Sequence, residues 1–260
     1  MAREPQEPPT TGIATHSSDD VVIRGRSLCR DLIGQVGFTD MICFQVLGRM
    51  PTPAQRAVVD ACLVTLMEHG LTPSVLAGRL VYSSAPEAIQ AAVAAGIMGV
   101  GSVFVGTVEG CAQLLDRIVA AGGEGEAAAA EIVARHRAER RPVPGFGHPH
   151  FRPDDPRTPR LLEVARREGV AGAHVAALET LAHAVDAAAG RHLTVNATGA
   201  VAALLGDCGV PASIMRGFAI IARCAGLVGH IHEEQQRPAM QAIWHAAGAA
   251  VPYTGEEPQG

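Results

Sequence analysis

Aromatic residues are scarce in this chain, 3% of 260 residues with a single tryptophan. A core with so few large rings must be filled by aliphatic and small side chains, and closely approaching helices rich in alanine and glycine suit that composition. Period-2 runs of β-branched residues are missing too, so the chain reads as all-α. Positive charge is not in excess. Against 21 Lys and Arg stand 26 Asp and Glu, a formal net charge of −5, so no basic stripe tracks a phosphate backbone and no nucleic-acid partner is expected. The six cysteines (Cys29, Cys43, Cys62, Cys111, Cys208 and Cys224) are scattered without C-x-x-C spacing. Most sit in apolar surroundings, the pattern of reduced core residues in a cytoplasmic protein. The acidic, proline-rich start shows no basic-then-apolar leader pattern, and residues 1–22 are expected to be disordered or loosely attached. No internal repeat is found.

What is present is 48% hydrophobic and 18% charged residues, enough for a sizeable core. Leu28, Leu32, Ile33, Val36 and Phe38 indicate a short helix interrupted by Gly34 and Gly37. Thr52 is an N-cap for a helix from Pro53 to about Glu68. His69 follows at its C-terminal end, just before the helix stop Gly70, where the helix dipole would favour a charged imidazole. Ser84–Glu87 reads as a capping box. It opens an apolar segment, Ala88–Val108, that carries no charge and is long enough to span a bilayer. Its glycines and serines, with Gln90 and Thr107, favour a buried central helix instead, and no membrane partner is expected. The G-V-G-S-V-F-V-G run lacks a preceding strand and is a poor dinucleotide loop. Further helices are expected over Glu126–Arg140, Leu161–Glu168 and His174–Ala189.

The richest stretch is Pro142–Arg160, P-V-P-G-F-G-H-P-H-F-R-P-D-D-P-R-T-P-R, with six prolines. Asp155 followed by Pro156 reads as an N-cap and first helical residue. That sets Arg157 in a first helical turn and His148 on a rigid loop before it. A histidine, clustered positive charge and a glycine-opened backbone suit an anionic ligand with an oxygen that gains or loses a proton. A metal hydrolase built on His148-x-His150 or His230-x-His232 is an outlying alternative, and no metal is expected.

The G-F-G-H of Gly145–His148, with D-P-R at Asp155–Arg157, resembles the citrate synthase superfamily. So do E-H-G-L-T-P-S at Glu68–Ser74, F-A-I-I-A-R-C-A-G-L-V-G-H at Phe218–His230 and Q-R-P at Gln236–Pro238. The four motifs stand in family order, and within the superfamily the chain looks most like citryl-CoA lyases, including the lyase module of ATP-citrate lyase. The resemblance implies a citrate synthase-like fold. A large helical domain would comprise residues 23–104 and 205–260, a small one residues 105–204, with the active site between them. It further implies a homodimer and citryl-CoA, or a related acyl-CoA or dicarboxylate, as ligand. No cofactor would be permanently bound, coenzyme A being part of the substrate.

Residue by residue, the resemblance puts His69 and His148 on the oxygen of the carbon where the bond breaks, with His148 the base in cleavage. Arg157, Arg223 and Arg237 would hold carboxylates, Arg237 from the partner subunit. Pro144, Gly145 and Phe146 would lie against coenzyme A, with Arg152 near a phosphate. Two positions depart from the family. Phe104 stands where synthases place the histidine that polarises the thioester carbonyl. Thr198 stands where they place the catalytic aspartate. The implied activity is therefore retro-Claisen cleavage of citryl-CoA to oxaloacetate and acetyl-CoA. The alternatives are condensation of the citrate or 2-methylcitrate synthase type, and a catalytically weakened di- or tricarboxylate-binding homologue.

Overall fold

Eleven α-helices follow a small N-terminal sheet in the described residues of this computed structural model, which are 9–103 and 105–255. The strands are β1 Ala14–His16, β2 Val21–Ile23 and β3 Arg26–Ser27, and one π-helical turn follows at Leu28–Leu32. The helices are α1 Phe38–Leu47, α2 Pro53–Met67, α3 Pro73–Ser84, α4 Ile89–Met98, α5 Thr107–Ala120 and α6 Gly125–Ala138. Then come α7 Arg157–Arg167, α8 Ala173–Ala189, α9 Ala197–Asp207, α10 Ala212–Gln236 and α11 Met240–Ala250.

Local chemistry explains several boundaries. The Thr52 hydroxyl accepts the Gln55 N–H while the Gln55 side chain accepts the Thr52 N–H, a reciprocal cap ahead of Pro53. The Asp155 carboxylate accepts the Arg157 N–H at 3.1 Å, and α7 begins at Arg157, one residue beyond the start that the Asp-Pro pair suggests.

The all-α class holds, and three details are added or corrected. First, the chain also carries a small antiparallel sheet, in which Ala14 pairs with Ile23 and Val22 with Ser27. Strands of two or three residues are too short for a period to show. They lie partly in the segment read as loosely attached, of which residues 1–8 are outside the described residues. Second, Ser84 remains inside α3, and the N-cap of α4, Ala88, makes no side-chain cap bond. Third, the apolar run over 88–108 is not one central helix. It ends as α4 at Met98, turns, and resumes as α5 at Thr107, and only Ala92 and Gly96 of α4 are buried.

The central helix is α10. It contacts α2, α3, α4, α5 and α9. Among the described residues it is the one helix long and apolar enough to cross a membrane by length and composition. Helix α9 is buried from Gly199 to Leu205 and packs on α5, α7 and α8. Small residues let the backbones meet. A Cβ at Gly226 of α10 would stand 2.2 Å from the Met67 carbonyl oxygen at the end of α2. A Cβ at Gly145 would stand 2.6 Å from Cys111 Sγ and 3.1 Å from Gly199 Cα.

Candidate active site

Where α2, α5, α9 and α10 meet the loop before α7, a cleft of about 880 Å³ opens. His69, Pro144, Gly145, Phe146, His148, Arg157, Thr198 and Arg223 all line it. Residues far apart in the chain, most of them picked out by three of the four motifs, thus share one surface. No Asp or Glu is among the described residues of the lining, whereas Arg141, Arg157 and Arg223 are. A cleft walled by guanidinium groups with no fixed negative charge suits a polyanion.

His148 is held from behind. Its Nδ1 accepts the backbone N–H of His150 and of Phe151, each at 3.1 Å. Backbone N–H groups only donate, so the proton of the neutral ring sits on Nε2. Arg157 Nη2 lies 3.3 Å from that Nε2. Two donors side by side cannot satisfy each other, and the pair suits a common acceptor in the cleft. The Phe151 ring stacks on His148 at 4.5 Å and lies under the Arg157 guanidinium at 5.2 Å. This arrangement changes the part His148 can play. In this tautomer it presents a hydrogen-bond donor to the cleft, whereas the sequence assigns it the part of a base.

Arg157 is aimed by Asp155, which is fully buried and accepts Arg157 Nε at 2.9 Å and Nη2 at 2.7 Å. Asp155 also accepts the Ala197 N–H at 2.9 Å, tying the α7 start to the α9 start. Burial opposes its charge, but the Arg157 and backbone hydrogen bonds outweigh that and hold the carboxyl below its ordinary range.

His69 follows α2 and is fixed through its backbone, for Glu68 accepts the His69 N–H at 2.8 Å and the Gly70 N–H as well. Its ring centroid is 5.6 Å from that of His148, and its ring nitrogens carry no hydrogen bond among the described residues. The helix dipole alone favours a charged ring. Partial burial, then the cations Arg157 and Arg223, push its pKa down instead. The His148 pKa is also lowered, by burial first and by Arg157 and His69 besides, against the pull of Asp155. Both rings are therefore neutral at neutral pH.

Arg223 is 3% exposed on α10, and its Nε and Nη1 are buried without a hydrogen-bond partner among the described residues. Burial lowers its pKa, partly offset by Glu68. Thr198 donates to Asn196 Oδ1 at 2.7 Å and stands 2.9 Å from the Thr107 hydroxyl. It presents a neutral hydroxyl pair and no base. Arg152 and Arg237 are exposed and lie outside the lining of the cleft. Phe104 is outside the described residues. Sequence reading missed Thr107, whose only signal was its place at a helix start, and took Asp155 for a cap alone although the D-P-R motif contains it.

Against known proteins, residues 32–245 match the family described as Citrate synthase, C-terminal domain. "Putative citrate synthase 2" of Mycobacterium bovis and of Mycobacterium tuberculosis is 29% identical over 194 residues, 72% of this chain and 49% of theirs. The chain thus spans about half the length of the curated relatives it matches. Among solved structures, citryl-CoA lyase from Hydrogenobacter thermophilus superposes with a TM-score of 0.83 at 32% identity over 96% of both chains. ATP citrate lyase from Methanothrix soehngenii, solved with citrate and coenzyme A, matches with a TM-score of 0.78 at 19% identity over 98% of this chain and 43% of that one. Citrate synthase from Thermotoga maritima gives 0.66 at 18% identity, over 86% of this chain and 58% of that one. The last two share the fold.

Proposed function

The chain belongs to the citrate synthase family, and from that premise we propose that it is a citryl-CoA lyase-like enzyme, cleaving citryl-CoA to oxaloacetate and acetyl-CoA. The observation that carries this reading is a cleft lined by three arginines and four histidines, His69 and His148 among them, with no acidic side chain among the described lining residues. Arg157 and Arg223 hold the carboxylates of the citryl group. The His148 Nε2–H and the Arg157 guanidinium hydrogen-bond the hydroxyl oxygen and stabilise negative charge that develops there.

The unbonded ring of His69 takes the hydroxyl proton. As the oxygen becomes a carbonyl, the bond from its carbon to the thioester's α-carbon breaks, and the electron pair passes into the thioester enolate. That α-carbon then takes a proton from the His69 imidazolium. One proton leaves oxygen and one reaches carbon, so a single histidine closes the cycle without the family's aspartate. Coenzyme A lies along Pro144, Gly145 and Phe146, which line the cleft. Arg152, exposed outside that lining, would need to approach a phosphate from the rim.

Other parts of the proposal are organisational. Residues 23–104 with 205–260 form the large domain and residues 105–204 the small one. A homodimer is supported by α11, which buries no residue of its own and exposes 67% of Trp244. Arg237 at the end of α10 lies outside its own cleft, as expected of a residue that completes the partner's site. Six free cysteines fit a cytoplasmic setting. The locked Thr198 hydroxyl favours a second reading, a homologue that binds a tricarboxylate without turnover. The deciding test is oxaloacetate release from citryl-CoA, followed through NADH oxidation in a coupled assay. Turnover lost in His69→Ala supports the lyase. No turnover, with citrate still raising the melting temperature, supports the binding homologue.

A further inference from the structure

Behind His69, outside the cleft lining, runs a line of polar contacts that the proposed chemistry does not use. Arg79 of α3 and Glu234 of α10 are 3% and 4% exposed and pair at 2.7 Å. Arg79 also bonds Glu233. From this clamp Arg79 donates to His230 Nδ1, with Nη2 at 2.9 Å and Nε at 3.3 Å. An arginine only donates, so His230 Nδ1 accepts and the ring's proton lies on Nε2. That nitrogen is 2.8 Å from Glu68 Oε2. The other Glu68 oxygen accepts the N–H groups of His69 and Gly70. Every bond thus points the same way, from a buried guanidinium through one imidazole tautomer to the carboxylate that grips the His69 backbone. Although burial opposes it, the His230 hydrogen bond helps hold the Glu68 carboxyl ionised.

We propose that His230 and Arg79 are positioning residues that set the place of His69. This rests on the reading of His69 as the proton carrier. A buried ion pair adds little net stability over an apolar replacement, and what Arg79–Glu234 supplies is a fixed anchor for the next group. Neither His230 nor Arg79 lines the cleft, so no direct contact to a bound ligand is removed when either is changed. The same Glu234 accepts the N–H groups of Ala239 and Met240 at 2.9 and 3.0 Å, so the anchor also fixes the corner between α10 and α11.

The test compares His230→Leu with His230→Gln in the full chain. Gln can accept from Arg79 through its oxygen and donate to Glu68 through its nitrogen, whereas Leu can do neither. In His230→Leu, kcat with citryl-CoA falls about 10- to 100-fold while KM stays within about twofold, as expected of a displaced catalytic group. His230→Gln recovers most of kcat. Hydrogen exchange at the His69 and Gly70 amides speeds up in the Leu variant and stays slow in the Gln variant. Unchanged protection in His230→Leu, or a Gln variant that behaves like Leu in both readouts, overturns the proposal. Failure of the wild type to turn over citryl-CoA counts against the lyase reading alone, because the exchange comparison still decides whether His230 holds the loop.

Discussion

Arg223→Met should make the protein more stable and less able to bind, an unusual pairing of signs. In the free protein Arg223 is 3% exposed and two of its nitrogens have no hydrogen-bond partner among the described residues. Each buried donor left unsatisfied costs about 1–3 kcal/mol. Met keeps much of the stem's volume and adapts to irregular space, so the ligand-free variant should gain about 1–3 kcal/mol by the same reasoning. At about 2–4 °C per kcal/mol for a chain of this size, that is a rise of several degrees in melting temperature. The response to citrate moves the other way. A ligand at about 100 times its Kd adds about 2.7 kcal/mol to the native state. Hydrogen bonds to a charged group contribute about 1.5–3 kcal/mol of affinity, so the variant should lose about 10- to 150-fold in binding and most of the citrate-induced shift. Thermal melts of both proteins with and without citrate read out both effects. A variant less stable than wild type without ligand, or with an undiminished citrate shift, would refute the idea that Arg223 is held unpaired for a ligand.

Paired glycine substitutions on α10 test how closely that helix must approach α2. Gly226→Ala sets a carbon 2.2 Å from the Met67 oxygen and should cost about 1–3 kcal/mol of stability, with a clear loss of kcat as His69 shifts. Gly229→Ala, with nothing within 4 Å, should stabilise by about 0.5–1 kcal/mol and leave kinetics alone. Equal effects in urea unfolding would dismiss the close-contact argument. The pH dependence follows from the lowered pKa values of His69 and His148. Each ring binds its proton less readily folded than unfolded, so stability is full above the ordinary histidine value and falls as pH drops through it towards the lowered one. The pH profile of kcat/KM should be level around neutrality with an acid limb below the ordinary histidine pKa, and a limb above it would contradict the reading.

Short-range chemistry was readable from the chain alone. Thr52 before Pro53 and Asp155 before Pro156 set helix starts because a cap needs only a neighbour three residues away or fewer. The meeting of His69, His148, Arg157 and Arg223 was foreseeable only through the family resemblance, since no periodicity links positions so far apart. The break of the apolar run over 88–108 was hidden because apolarity reports burial, not direction of travel. The His148 tautomer depends on two amides of a turn, and the sign of the His69 shift on burial first and then on guanidinium groups from α7 and α10. The Arg79–His230 contact joins residues 151 positions apart in sequence. None of these leaves a local signature.

The glycine crossing at Gly145 and Gly199 bears on motion. Asn196 N–H bonds the Gly145 carbonyl at 3.0 Å, Gly147 N–H the Thr194 carbonyl at 2.7 Å, and the Thr158 hydroxyl the Val195 carbonyl at 2.8 Å. His148, Arg157 and Thr198 therefore ride on one stitched wall. His69 and Arg223 share no hydrogen bond with any of them among the described residues. A separation of these two walls would leave the hydrogen bonds within each of them intact. On the proposed function, a product gripped from both sides would then lose contacts to a whole wall in a single movement, so that release and disassembly of the site would be the same event.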